Sequence, residues 1–169
     1  EPASTVAGRS PAMENIRQQI RQIGPSDDWA LITGEPGSGK GVVARALHRA
    51  SQRSTTRFVE ARVSSIAPSS VLLRLFGQEE NGIIQTGLLE KANHGTLVLD
   101  EIGDLELSVQ AQLLNALEEK RFSRIGSKEF MLLDLRLITT TSQNLTEKFA
   151  EGQFREDLYR RLAEVSIWM

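Results

Sequence analysis

The stretch Leu31-Ile32-Thr33-Gly34-Glu35-Pro36-Gly37-Ser38-Gly39-Lys40-Gly41 decides how this chain folds. An apolar run ends in a glycine-rich turn, and residues 42–50 then have the pattern of an amphipathic helix. Glycine, four further residues, glycine and lysine make the spacing of a phosphate-binding loop, or P-loop. Glycines let backbone N–H groups close around phosphate oxygens, while the helix N-terminus and the lysine add positive charge. The sequence therefore predicts a nucleotide site built from Gly34, Glu35, Pro36, Gly37, Ser38, Gly39, Lys40 and Gly41.

Gly41 departs from the usual P-loop pattern. A serine or threonine normally follows the lysine, and its hydroxyl binds magnesium beside the phosphates. Glycine has no hydroxyl, so we expect Mg²⁺ to be held by other groups or to be held weakly.

Composition narrows the class of protein. A length of 169 residues suits one ordinary domain, and 40% hydrophobic with 25% charged residues is typical of a soluble globular protein. The formal net charge of -2 gives no basic surface for nucleic acid, and the lack of cysteine excludes disulfides and thiolate metal sites. The apolar runs are too short to span a bilayer and no signal peptide is visible, so a cytoplasmic protein is expected.

Apolar runs alternate with amphipathic stretches along the rest of the chain. Strands are predicted at 29–33, 58–63, 96–101 and 135–140, with a short hairpin within 122–133 and an exposed loop at 77–86. Helices are predicted at 11–23, behind an N-cap at Ser10, and at 42–50, 68–76, 88–92, 108–119, 145–150 and 154–162. This alternation predicts an α/β fold, a parallel sheet flanked by helices on both faces, with the ligand at the strands' carboxyl ends.

Two acids, Asp100 and Glu101, close the apolar run at 96–99. We expect this strand to lie directly beside the P-loop strand, so that Asp100 faces bound Mg²⁺, directly or through water. Glu101 would then polarise the attacking water as a general base. Alone, an acidic pair after a strand is more often a solvated strand end, but its place about sixty residues after Lys40 favours a function.

With these motifs placed, the chain resembles the AAA+ ATPase domain of bacterial enhancer-binding proteins, the sigma-54-dependent transcription activators of the NtrC type. The matching stretches follow in order along nearly the whole chain: 8–13, 34–48, 75–77, 95–105, 122–126 and 152–162. The resemblance implies an AAA+ P-loop α/β core over residues 1–169, with 1–7 a flexible lead-in. It also implies that the receiver domain, the helical lid and the DNA-binding domain lie outside this chain.

The resemblance further implies a mechanism. Such domains bind ATP and Mg²⁺ between neighbouring copies in a homo-oligomeric ring, commonly a hexamer. Arg155 and Arg161 match the arginines that reach the neighbour's phosphates, and Ser142 aligns with the residue that senses the γ-phosphate. The expected partners are the RNA polymerase holoenzyme, DNA through a separate domain, and the cognate sensor kinase of a two-component system, with no membrane.

The segment after Leu75-Phe76-Gly77 departs most from the family. Family members carry Gly-Ala-Phe-Thr-Gly-Ala there, which contacts sigma-54, whereas residues 78–86 are shorter and lack that motif. Members of the NtrX branch lack it in a similar way, as do some regulators that work with the housekeeping polymerase, and the chain resembles the NtrX branch most. A tip of this kind is not expected to engage sigma-54 in the usual way.

Three further departures surround the nucleotide. Arg62 stands where the family has asparagine, and it either pairs with Glu101 or points outward. Ser142 replaces asparagine or threonine, and Gly41 replaces the family's usual glutamate. Two functions stay open: an ATPase that depends on assembly, or a nucleotide-binding regulatory module with little turnover. A cyclic dinucleotide effector is a variant of the second.

Overall fold

The computed structural model describes Gly8 and residues 10–169, so the lead-in expected at 1–7 lies outside the described residues. The helices are α1 (Pro11–Ile23), α2 (Lys40–Arg49), α3 (Val71–Phe76), α4 (Leu88–Ala92), α5 (Leu107–Glu119), α6 (Leu145–Ala150) and α7 (Glu156–Leu162). The strands are β1 (Ala30–Thr33), β2 (Phe58–Arg62), β3 (Gln78–Glu80), β4 (Ile83–Gln85), β5 (Thr96–Asp100), β6 (Arg121–Phe122), β7 (Met131–Leu132), β8 (Arg136–Thr141) and β9 (Val165–Trp168).

Five strands form one parallel sheet in the order β2-β5-β8-β1-β9. The register sets Ile32 of β1 beside Thr140 of β8, and Leu97 of β5 beside Leu137 of β8. The expectation that the Asp100 strand lies directly beside the P-loop strand was wrong, because β8 lies between them. Strand order depends on long-range pairing, which the local apolar pattern does not encode. The carboxyl ends of all five strands still meet at one edge of the sheet.

Side chains alternate between the two faces of the sheet and bury each face under helices. One face, with Ile32, Val98 and Ile138, packs against α1 and α2. The other face, with Leu31 and Leu97 among its residues, packs against α3, α4, α5 and α7. The predicted α/β fold with helices on both faces is therefore confirmed. Within the described residues, no helix is long and apolar enough to cross a membrane.

The element boundaries follow the sequence closely at most places. Ser10 caps α1 as predicted, since its side chain accepts a hydrogen bond from the Met13 backbone N–H. Helix α2 begins at Lys40, two residues earlier than predicted. The segment 77–86, predicted as a loop, instead contains the antiparallel pair β3–β4 with Asn81 and Gly82 at its turn, both at positive φ. Its strands are short and mostly polar, so the alternation of apolar and polar residues that predicts a strand is missing there.

Arg136, at the start of β8, is the largest of the fully buried side chains. Its guanidinium donates to the backbone oxygens of Ile23 (3.1 Å), Gly24 (2.8 Å) and Asp28 (2.9 Å), where α1 ends and β1 is about to begin. Burial lowers the pKa of Arg136. One cation in the sheet thus satisfies three carbonyls of the α1–β1 connection, which fixes how that connection enters the sheet.

Replacing Arg136 with methionine keeps most of the side-chain volume but leaves these three carbonyls without their donor. We expect Arg136→Met to lower the free energy of unfolding by about 3 to 5 kcal/mol, because breaking a buried charged network leaves unpaired polar groups. The same change at exposed Arg74 should stay within about 0.5 kcal/mol. Urea denaturation of both variants measures the difference, and equal midpoints would contradict this role of Arg136.

Candidate functional site

The P-loop joins the end of β1 to the start of α2 in a conformation that two glycines make possible. Gly37 and Gly39 have φ values of +79° and +94°, in the left-handed region where other residues are strained. The Gly34 N–H donates to the Thr141 carbonyl of β8 at 3.1 Å, which ties the start of the loop to the sheet. The loop therefore lies at the carboxyl edge of the sheet, where Gly37 and Gly39 line a cavity.

Lys40 is buried at the first position of α2. Its Nζ donates to the carbonyl oxygens of Gly34 and Glu35, both at 2.8 Å. The Ser38 N–H also donates to the Glu35 carbonyl, at 3.1 Å. The lysine thus lies across the mouth of the loop, with its ammonium at the place where the sequence predicts phosphate.

Ser38 and Gly34 define the inner wall of the loop. The Ser38 hydroxyl is buried and has no hydrogen-bond partner among the described residues. A Cβ on Gly34 would meet that hydroxyl at 2.7 Å and Met169 Cβ at 2.6 Å, so only glycine fits there. Buried polar groups without partners are uncommon in folded proteins, and this one fits a loop whose hydroxyl awaits an acceptor such as phosphate.

Asp100 and Glu101 end β5 on the neighbouring side of the cavity. The Thr140 hydroxyl of β8 donates to Asp100 Oδ1 at 3.0 Å and accepts from the Glu101 N–H at 3.3 Å. Glu101 has φ +59° and ψ +54°, a left-handed conformation that is strained for a side-chain-bearing residue. One threonine from β8 therefore positions both acids, and strain of this kind is concentrated at functional sites.

The Glu101 carboxylate is bound to Ser142, not to Arg62. Its Oε2 accepts hydrogen bonds from the Ser142 N–H at 3.1 Å and from the Ser142 hydroxyl at 3.0 Å. Arg62 does not form the expected ion pair with Glu101, and it does not turn away from the site either: its exposed side chain lines the same cavity. Ser142, predicted to sense the γ-phosphate, thus holds the proposed general base.

A cavity of about 300 Å³ lies beside the P-loop and the two acids. It is lined by Gly37, Gly39, Lys40, Gly41, Val42, Arg45, Arg62, Asp100, Glu101 and Thr140. The described residues also form a larger groove of about 620 Å³ beside α3 and α5, but apolar groups such as Phe76 and Phe122 line much of it and it has no P-loop. The smaller cavity is the one with phosphate-binding geometry.

Glu60 of β2 partly fills the space that a side chain at position 41 would enter. A Cβ added to Gly41 would lie 3.7 Å from Glu60 Oε2 and 3.6 Å from Arg45 Nη2. Glu60 and Arg45 form an ion pair at 3.6 Å. Burial, then the charge of nearby Asp100, raises the pKa of Glu60. A carboxylate from β2 thus lies near the place where the family's glutamate would begin on α2.

The two predicted phosphate-binding arginines lie away from this cavity. Arg155 forms hydrogen bonds with Asp157 at 2.9 and 3.0 Å. The Arg161 guanidinium stacks over the Trp29 ring, 3.7 Å from its centroid. Trp29 immediately precedes β1, whereas the P-loop follows its other end, roughly 13 Å along the strand. In this conformation neither arginine lines the nucleotide cavity of its own chain.

The β3–β4 hairpin follows Gly77, in the segment where the resemblance leads one to expect a contact loop. Arg124 binds Glu79 of β3 at 3.0 Å and Glu90 of α4 at 2.7 Å, which fastens the hairpin to the body of the domain. Ile83 and Ile84, at the start of β4, are 70% and 50% exposed. The segment is therefore an anchored hairpin with two exposed apolar side chains in β4, next to its Asn81-Gly82 turn.

The groups that line the cavity suit the phosphates of ATP and a Mg²⁺ ion. The N–H groups of the loop, Lys40 and the unpaired Ser38 hydroxyl fit phosphate oxygens. Mg²⁺ usually needs only one or two carboxylates beside the phosphates, and Asp100 offers one. Among the described residues, no cluster of three or more side chains could hold a metal ion.

Sequence reasoning missed two contributors to this site, Thr140 and Glu60. Thr140 lies within an apolar strand, and only the β5–β8 pairing reveals that its hydroxyl faces the two acids. Glu60 is a charged residue within a predicted strand, a signal that could have directed attention to it. Its carboxylate lies close to Gly41, in space that is open because Gly41 has no side chain.

The family model of the sigma-54 interaction domain matches residues 6–168 of the chain. The nitrogen assimilation regulatory protein NtrX of Azorhizobium caulinodans is 42% identical over 165 residues, which cover 96% of this chain and 36% of that protein. The DNA-binding transcriptional regulator NtrC of Escherichia coli K12 is 39% identical over 171 residues, covering 98% and 36%. The chain spans little more than a third of the length of these curated relatives.

Crystal structures of NtrX from Brucella abortus are similar to this chain over nearly its whole length. The complex with ATP has a TM-score of 0.90 at 39% identity, covering 95% of this chain and 36% of that one. The complex with ADP has a TM-score of 0.92 at 38% identity, covering 98% and 37%.

The two neighbouring threonines of β8 give a matched test of the site's support. Thr140→Val removes the hydroxyl that bonds Asp100 and the Glu101 N–H, so we expect the free energy of unfolding to fall by about 1 to 2 kcal/mol. Thr139 is equally buried, but its hydroxyl has no partner among the described residues, so Thr139→Val should be neutral or stabilising. Chemical denaturation of both variants decides; an equal loss in the two would contradict the role given to Thr140.

Proposed function

The chain belongs to the sigma-54 interaction domain family, and on that premise we propose that it is the ATP-binding central domain of a bacterial transcription regulator of the NtrC and NtrX type. The observation that carries this proposal is the convergence of the P-loop, Lys40, Asp100 and Glu101 on one cavity. The complexes of Brucella abortus NtrX with ATP and ADP support it.

In this proposal the P-loop binds the phosphate chain. The backbone N–H groups of Gly37, Gly39 and Lys40, at the N-terminus of α2, and the Ser38 hydroxyl bind phosphate oxygens. Lys40 Nζ moves from the loop carbonyls to the outer phosphates. Mg²⁺, when bound, neutralises phosphate charge. Asp100 is the carboxylate that would hold the metal, and the Thr140 hydroxyl keeps that carboxylate oriented.

Hydrolysis requires Glu101 to accept a proton from water. For this its carboxylate must give up the two hydrogen bonds from Ser142, which then becomes free to contact the terminal phosphate. Arg155 and Arg161 act in trans, on the nucleotide of a neighbouring copy, where a guanidinium stabilises charge that develops on the γ-phosphate. Turnover therefore depends on the assembly of a ring, with a hexamer as the expected form.

A nucleotide-binding module with little turnover is the second candidate. It is favoured by the double hydrogen bond that Ser142 gives to Glu101, since a base held in this way is not free to activate water. In that case nucleotide sets the oligomeric state and Glu101 contributes structure.

The proposed partners follow from family membership. The whole regulator is proposed to act in the cytoplasm on the RNA polymerase holoenzyme, to bind DNA through another domain and to receive its signal from a sensor kinase. The β3–β4 hairpin lacks the family's contact motif, so we propose that polymerase control proceeds without the usual sigma-54 contact.

Steady-state phosphate release separates the two candidate functions. If the protein is an ATPase, Glu101→Gln should lower the rate at saturating ATP by about 100-fold, because it removes the general base. Glu129→Gln removes the same charge at an exposed site and should keep the wild-type rate. A wild type that turns over no faster than Glu101→Gln would favour the binding module.

Mixing two inactive variants tests whether Arg161 acts in trans. Arg161→Ala and Glu101→Gln should each be inactive alone, but a ring built from both contains sites with an intact Glu101 beside an intact Arg161. Random assembly of equal amounts should restore about a quarter of the wild-type rate per site. Failure of the mixture to recover any activity, with both variants folded and associating, would contradict the trans role.

A further inference from the structure

Arg62 ends β2 at the rim of the nucleotide cavity. Its Cα is the register partner of Asp100 in the parallel β2–β5 pair, so both residues leave the sheet at the same edge. Alternation along β2 directs Arg62 to the same face as Glu60, the face that α2 covers. Its exposed side chain lines the cavity together with Lys40 and the P-loop glycines.

The acids near Arg62 have other partners. Glu60 pairs with Arg45, Asp100 accepts from Thr140, and Glu101 accepts from Ser142. Arg62 forms no side-chain hydrogen bond or ion pair with any residue that the structure describes. Of the cations lining this cavity, Arg45 is paired with a carboxylate and Lys40 is held by loop carbonyls. The charge of Arg62 acts on Glu60 without an ion pair, so the N–H donors of its guanidinium form no hydrogen bond among the described residues.

The position of Arg62 indicates which phosphate it can reach. The P-loop and the N-terminus of α2 enclose the inner part of the phosphate chain, while the two acids at the end of β5 act at its outer end. Arg62 lies beside Asp100, on that outer side. A planar guanidinium with five N–H donors suits two oxygens of one phosphate group, and such charge-assisted bonds are strong.

We infer that Arg62 binds the terminal phosphate of ATP within its own chain and makes the site prefer a nucleoside triphosphate to a diphosphate. This inference rests on the proposed nucleotide site. ADP lacks the group that Arg62 contacts, so the arginine contributes little to ADP binding. A single copy of the chain can then discriminate ATP from ADP before any neighbour supplies an arginine in trans.

Isothermal titration of the chain with Mg²⁺ and either a non-hydrolysable β,γ-imido ATP analogue or ADP tests this inference. The concentrations are those at which sedimentation shows single copies. Arg62→Ala should weaken binding of the triphosphate about 10- to 100-fold and of ADP less than about threefold, since one charge-assisted contact is lost only with the former. Arg62→Lys keeps the positive charge but loses the paired N–H donors of the guanidinium, so its affinity for the triphosphate should lie between those of wild type and Arg62→Ala. Arg74→Ala, the same charge change on exposed α3, should match wild type for both nucleotides.

The outcomes separate this inference from the function on which it rests. An Arg62→Ala variant that binds both nucleotides as wild type does, or loses affinity equally for both, overturns the inference and leaves the nucleotide site standing. If the chain prefers the triphosphate to ADP only in assembled rings, the inferred contact between Arg62 and the phosphate of its own chain is overturned. A folded wild type that binds neither nucleotide, like a Lys40→Ala reference, overturns the proposed function itself. Thermal denaturation confirms that each variant is folded.

Discussion

The pairing of β8 with both β1 and β5 is the constraint on which the rest of the structure depends. At its amino end β8 carries buried Arg136, which bonds the carbonyls of the α1–β1 connection. At its carboxyl end it supplies the Thr141 carbonyl to the P-loop and the Thr140 hydroxyl to the two acids, and Ser142 follows. One strand thus sets the distance between the phosphate loop and the acids, although it contributes no residue to either motif.

The sequence predicted what is local and left open what is long-range. The P-loop, the capped helix α1 and the apolar strands follow from spacing and periodicity, which act within a few residues. The place of β8 between β1 and β5 could not be read in this way, because neighbouring strands in a parallel sheet are chosen by packing over tens of residues. The same applies to the β3–β4 hairpin, whose polar strands are held by Arg124, and to the Glu101–Ser142 contact.

The charges around the cavity are closely matched in number. Lys40, Arg45 and Arg62 face Glu60, Asp100 and Glu101, so the cavity has little net charge before a nucleotide enters. When a triphosphate binds, Lys40 must leave the loop carbonyls, whereas Arg62 has no hydrogen bond or ion pair to break among the described residues. Glu101 is strained and doubly bonded to Ser142, which makes it the group with most to change between a resting and an active arrangement.

The stacking of Arg161 on Trp29 adds a free-energy cost to assembly of the proposed ring, because the stack must break before Arg161 reaches a neighbouring copy. A cation over a partly desolvated indole contributes on the order of 1–2 kcal/mol, and a guanidinium that leaves for a neighbour's phosphate gives this up. If the neighbouring copy holds no phosphate, this lost stacking energy is not regained, and association between copies is weaker by about a factor of ten. By linkage, nucleotide then strengthens the contact between copies as much as the contact strengthens nucleotide binding. Assembly would then depend on the concentration of ATP and on that of the regulator together. The Arg161–Trp29 contact, at the amino end of β1, would couple the two.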